Sequence, residues 1–198
     1  NEFAKRGELG QAGRSTATTV VAKAIIDELR EQLPADPKAH KLMSFTDSRQ
    51  DASLQAGHFN DFVLMARLRA ALVKALESAP GHILAYDEVA DAVMEALALD
   101  PEEYTKAHEG PALELAQKAL RNVLEYLLYA DLAYGWRFVQ PNLEQVGLLE
   151  IEFIGLQDFC HDENLWSQLK SDTLRSALPE KRYEVIRAVL DYMRQELA

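Results

Sequence analysis

The sequence predicts a mainly α chain: a short strand–helix piece followed by a helical bundle with a small two-stranded ribbon. Three observations carry that reading. Apolar residues recur at helical spacing through most of the chain, as at Tyr86, Val89, Ala90, Val93 and Leu97. Breaks at Pro34-Ala35-Asp36-Pro37 and Ala79-Pro80-Gly81 separate the periodic segments. Apolar runs short enough for strands stand out in only two places, at Leu42-Met43-Ser44-Phe45 and on either side of Pro141-Asn142.

Residues 1–13 are Gly-rich and polar and read as a loop or disordered lead. Ser15 or Thr16 can cap a helix to about Leu33, with Val20, Val21, Ala24, Ile25 and Leu29 on one face. Pro34 and Pro37 end it. Lys41–Thr46 reads as a short buried strand, and Asp47 or Ser48 as the cap of a helix reaching about Ala79 unless Gly57 interrupts it. Phe59, Phe62, Val63, Ala66, Leu68, Leu72 and Leu76 supply its buried stripe. Beyond Ala79-Pro80-Gly81, Asp87 is expected to cap Val89–Leu99. Pro111 should start a long helix to about Ala133 that Gly135-Trp136 breaks. Arg137–Val139 and Leu148–Phe153 are the two ribbon strands; Asp162 opens another helix and Pro179 the last. The expected segments are a lead and helix at 1–38, the strand–helix piece at 39–79, and a helical domain at 80–198, which the ribbon makes winged-helix-like.

Composition narrows the function. With 198 residues and 48% hydrophobic ones the chain can bury a core. No apolar run approaches the ~18 residues of a membrane span, so no membrane partner is expected. Asn1-Glu2-Phe3 in place of an initiator Met reads as a scar, and the chain as an excised piece. One cysteine, Cys160, excludes an intramolecular disulfide framework or a multi-cysteine zinc site, and fits a cytoplasmic setting. It reads as a packed or surface thiol rather than a nucleophile. The net charge of −11 is unlike a free-standing nucleic-acid binder, but it is unevenly spread. Residues 1–79 carry 11 Lys+Arg against 10 Asp+Glu, and residues 80–198 carry 10 against 22. Any phosphate-facing surface therefore belongs to the first segment.

The most informative stretch is Lys41–Phe62, KLMSFTDSRQDASLQAGHFNDF. A strand running into a helix leaves free backbone N–H groups and a positive dipole end at the turn. Thr46 and Ser48 add hydroxyls there, and Arg49 a fixed cationic fork, which together suit a phosphate. The plain alternative is a capped helix after a core strand.

The string FTDSRQDASLQAGHFNDF resembles motif IV of a group of large bacterial DEAD/DEAH-type superfamily 2 helicases. That group carries an extra C-terminal domain of unknown function and is related to enzymes of phage-defence and DNA-repair loci. GELGQAGRSTATTV is similar to the segment before that motif, GWRFVQPNLEQVGLLEIEF to a stretch well after it, and DYMRQELA to the end of the same insert. The resemblance covers most of residues 7–198. It implies that motif IV opens a second RecA-like domain at 39–79, with 80–198 as a helical insert. Thr46, Ser48 and Arg49 would then contact a nucleic-acid backbone, DNA rather than RNA. It also implies that ATP and Mg serve the parent protein, with no cofactor held by this segment.

Other strings read as decoys. Gly7–Thr16 places five residues, not four, between Gly7 and Gly13, with Arg14 where a phosphate loop needs Lys. Asp87-Glu88 after Ile83-Leu84-Ala85-Tyr86 mimics a magnesium-binding acidic pair but follows motif IV instead of preceding it. No Q-x-x-G-R-x-G-R string supplies an arginine finger, so the segment alone is expected not to hydrolyse ATP. His58 near Phe59 and Phe62 reads as a satisfied helix histidine, His161-Asp162-Glu163 as a helix start, and Glu180-Lys181-Arg182 as a solvated first helical turn. Two rivals stand beside the helicase reading: an autonomous acidic helical protein–protein interaction domain, and a DNA-binding winged helix that the acidic balance of 80–198 opposes.

Overall fold

The computed structural model describes residues 2–43, 49–135 and 141–196 of the chain. Among these, the regular elements are helical. They are α1 (Glu2–Gln32), α2 (Arg49–Ser78), α3 (Val89–Leu97), α4 (Pro101–Tyr104), α5 (Gly110–Tyr134), α6 (Leu156–His161), α7 (Glu163–Ser167), α8 (Asp172–Arg175) and α9 (Pro179–Glu196), with short 3-10 turns at Pro37–Ala39 and Pro80–His82. No described helix is long and apolar enough to cross a membrane. The chain divides into two compact units, residues 1–124 and 125–198.

In the first unit α2 is the central element, with α1 and α3 packed against it. Its buried stripe is Met65, Leu68, Ala71, Leu72 and Ala75, which meets a short apolar helix whose Ala90 and Val93 are fully enclosed. The expected residues Leu68 and Leu72 belong to this stripe. Phe59, Phe62, Val63 and Leu76 are only half-buried, and the small side chains Ala71 and Ala75 take buried places in the stripe. Polar contacts fix the register. Lys74 Nζ donates to the carbonyl of Ala96 in the last turn of α3, Arg67 faces Glu103, and Arg121 of α5 reaches back to Asp91 and to the Asp87 carbonyl. Pro80-Gly81-His82, where the sequence suggested a domain boundary, is the turn between α2 and α3 inside this unit.

Three expectations for the first unit are corrected. The N-terminal residues do not form a loop: α1 starts at Glu2, since Ala4, Lys5, Arg6, Glu8, Leu9, Gln11 and Ala12 are helix formers that outweigh Gly7, Gly10 and Gly13. Its expected apolar face is turned outward, with Val20, Val21 and Ile25 exposed and Thr19 buried instead. Thr19 shares its face with the half-buried Ala22, Ile26 and Leu29, so the inward face of α1 combines a polar contact (below) with apolar residues at helical spacing. Lys41–Met43, the described part of the expected strand, are exposed and irregular, with no extended neighbour among the described residues to complete a ladder. Ser44 and Phe45 lie outside the described residues.

The second unit is organised around α9. This helix carries Arg182, Arg187 and Arg194, each paired with an acid from the 141–163 stretch: Glu163, Glu150 and Glu144 respectively. Asn142 is buried and anchors the turn after α5. Its Nδ2 donates to the Leu132 carbonyl at 2.7 Å, and its Oδ1 accepts from the Gln145 amide at 2.8 Å. Gly135 ends α5 as predicted, in the left-handed region at φ 68° that a side chain would strain, with its N–H on the Asp131 carbonyl. The expected strand at Leu148–Phe153 is an irregular segment, and Arg137–Val139 lies outside the described residues, so no ribbon is seen among the described ones. Pro179 opens α9, and Asp162 caps α7 by accepting from the Asn164 amide at 3.0 Å, both as read from the sequence.

Candidate functional site

The motif-like string runs into α2. The helix begins at Arg49, the residue that follows the two candidate caps Asp47 and Ser48 in sequence. Thr46 and Ser48 lie outside the described residues; of Arg49, the backbone place at the first position of α2 is described and the side chain is not. The sequence-predicted site is thus represented by its helical half.

That half has two distinct faces. On one, Ala52, Ser53, Ala56, Gly57 and Asn60 are all exposed. They recur at i, i+1, i+4, i+5 and i+8, which puts them on one side of the helix. The side chains are small, and a Cβ built on Gly57 would meet nothing within 4 Å. This side of the first turns offers a smooth surface on which another molecule's backbone can come close. The opposite face holds His58, which is buried. Its Nδ1 lies 3.3 Å from the Thr19 hydroxyl and its Nε2 3.5 Å from the Thr16 hydroxyl, and its ring stacks with Phe62 at 6.2 Å. Hydroxyls can donate or accept, so they serve both ring nitrogens in either tautomer. His58 is therefore a satisfied helix histidine that ties α2 to α1, and not a candidate ligand.

The two acidic decoys have a structural explanation. Asp87 does not cap α3; the N-cap position belongs to Glu88, which makes no side-chain cap bond and instead accepts from the Ala85 amide. The Asp87 carbonyl and the Asp91 carboxylate are both held by Arg121. In His161-Asp162-Glu163, the histidine Nδ1 donates to the Gln157 carbonyl, the aspartate caps α7, and the glutamate binds Arg182. Among the described residues no group of three His, Cys, Asp or Glu side chains could hold a metal ion.

The polar centre that sequence reasoning missed is Arg182, 2% exposed in the first turn of α9. Its Nε donates to the Leu174 carbonyl, Nη1 to the Cys160 carbonyl and Glu163, and Nη2 to Glu163 and the Arg175 carbonyl. The guanidinium lies over the Trp166 ring, 4.8 Å from its centroid. Hydrogen bonding to Arg182 holds the Glu163 carboxyl below its usual range. Burial pushes the neighbouring Cys160 thiol up, against a smaller opposing pull from the same cation, so Cys160 is no nucleophile in this state. The local signal was thin: nothing in Glu180-Lys181-Arg182 tells Arg182 from Lys181 except guanidinium chemistry. Comparison of the chain with protein-family models, curated proteins and solved structures finds no match.

Proposed function

We propose that the chain is a segment of an ATP-dependent superfamily 2 DNA helicase or translocase. In this reading residues 45–52 are motif IV, which contacts a nucleic-acid backbone, and residues 80–198 are an accessory helical insert. The observation that carries the reading is the string Phe45–Phe62, whose helical half becomes α2 starting at Arg49. The small exposed side chains of the first turns support it, because they leave room for a sugar–phosphate backbone beside the helix N-terminus. Thr46, Ser48 and Arg49 are the proposed contacts. ATP and Mg belong to the rest of the parent, and the segment by itself hydrolyses nothing. The insert keeps to the cytoplasmic helicase and faces its other domains.

The test is Arg49→Ala in the parent protein, with binding to a single-stranded oligonucleotide measured across a series of salt concentrations. A phosphate contact is lost whatever the sequence, so affinity falls for all oligonucleotides and the salt slope drops by at most about one unit. Unchanged affinity and slope at unchanged thermal stability would remove the functional content of the motif. Arg49 would then contribute no more than a solvent-exposed ion pair does, ~0–1 kcal/mol.

A second reading, an autonomous acidic protein–protein interaction domain, draws support from α9. Val185, Val189, Tyr192 and Met193 form an exposed stripe on the side away from Arg187 and Arg194. It is the reading to adopt if the oligonucleotide titration fails.

A further inference from the structure

Residues 156–176 hold three helices of six, five and four residues, each far below the ~12–15 at which an isolated helix is even marginal in water. Their packing is serial: α6 lies on α9, α7 on α6, and α8 on α7. The last of these buries no side chain of its own. Packing alone would leave α7 and α8 hanging from α6. What gathers all three is Arg182. Its N–H groups take one carbonyl from the end of α6, two from the last turn of α8, and both carboxylate oxygens of Glu163 at the start of α7. Its flat face covers Trp166, whose Nε1 donates to the Phe159 carbonyl at 2.8 Å and whose ring meets Phe159 edge-on at 5.4 Å. The side chain thus does for two short helices what C-terminal caps would do separately.

We infer that residues 156–176 form a strap that opens from α9 and closes again as one unit, with the Arg182 guanidinium as its clasp. The Glu163 side chain is 66% exposed, so water can replace this arm of the clasp first. What then holds the strap is the three carbonyl bonds, the Trp166 contact and the packing of α6 on α9. Opening uncovers Trp166 and Cys160, which are 2% and 0% exposed in the closed state. The device is independent of the helicase reading, since it uses no residue of the motif-like string.

Cys160 is the only cysteine, so thiol labelling reads the opening directly. The full chain is labelled with an aromatic disulfide reagent at fixed pH over a series of low urea concentrations, and loss of helix is followed separately by far-UV circular dichroism. A local opening exposes little surface, so the labelling rate is expected to be nearly flat in urea below the main transition. Arg182→Lys cannot make the planar, forked set of bonds and is expected to raise the rate at least about tenfold. Glu163→Gln, at an exposed carboxylate, is expected to raise it roughly threefold, with a correspondingly small lowering of the main transition. A labelling rate with the same urea dependence as helix loss means that Cys160 is reached only by global unfolding, and overturns the strap. Should Arg182→Lys fail to fold, Glu163→Gln carries the test, and an unchanged labelling rate in that variant overturns the clasp.

Discussion

Gly57→Ala tests the continuity of α2, which the sequence alone left open, and its sign follows from the structure. Gly57 lies in the interior of a 30-residue helix and is exposed. A glycine there is disfavoured by ~0.8–1.0 kcal/mol relative to alanine, largely through the extra freedom it gives the unfolded chain. The added methyl meets no heavy atom within 4 Å, so no steric term opposes the gain. The net expectation is stabilisation by about 1 kcal/mol. For a chain of this size that raises the melting midpoint by roughly 2–4 °C, and somewhat more if the first unit melts by itself. Far-UV circular dichroism on heating, with a urea titration as a second measure, reads the effect. An unchanged or lowered midpoint would mean that Gly57 does not sit in open helical backbone, and the reasoning would fail. The same substitution separates the functional readings. If nucleic acid lies against Ala52, Ser53, Ala56 and Gly57, the methyl strengthens the fold while weakening oligonucleotide binding. A glycine without that role gains stability and leaves binding alone.

Leu68→Ala removes one of the most deeply enclosed side chains of the first unit, 2% exposed between α2 and its neighbours; a loss of ~2–5 kcal/mol in urea unfolding is expected, and a loss under about 1 kcal/mol would contradict the packed α2 stripe. For Glu163 the pH dependence has a definite sign. Its carboxyl is held below the usual value by Arg182, so its contribution is complete above the ordinary glutamate range, about 4.3, and disappears as pH falls through the lowered value. The stability difference between the native chain and Glu163→Gln is therefore expected at pH 7 and absent in strong acid; a difference that grows on acidification would reverse the assignment.

Helix existence was legible wherever local chemistry decides it. Pro179 at the start of α9, Asp162 capping α7, and Gly135 after α5 are local devices, and each is where the pattern placed it. What was not legible depends on distant partners. A strand at Leu42–Phe45 needs a neighbour to share its hydrogen bonds, and no apolar spacing supplies one. Val20, Val21 and Ile25 of α1 looked like a core face, yet they are exposed, and Thr19 takes a buried place beside a histidine 39 residues further on. Arg182 is the clearest case. A cation in a first helical turn ordinarily points to water, and only carbonyls 7, 8 and 22 residues upstream make burial possible. The motif-like string behaves in the opposite way. Its information lies in residue identity, so it was readable from sequence, while the structure describes only the helix it enters.

The charge asymmetry acquires a physical meaning once the ion pairs are placed. Residues 80–198 contain 10 Lys+Arg against 22 Asp+Glu. Arg121, Arg175, Lys181, Arg182, Arg187 and Arg194 are each engaged with a carboxylate of the same stretch. Two arginines of α9 go further: Arg182 spends three of its bonds on backbone carbonyls and Arg194 one. These cations are already matched to carboxylates of the stretch, so the excess of acidic groups over basic ones, 22 against 10, is what the stretch presents to an approaching anion. A polyanion approaching residues 80–198 would meet repulsion without the counterion release that drives nucleic-acid binding. On the helicase reading, the insert is therefore kept off the strand by its own electrostatics. Backbone contact falls to the first segment, where charge is nearly balanced and the N-terminus of α2 adds a fixed positive end.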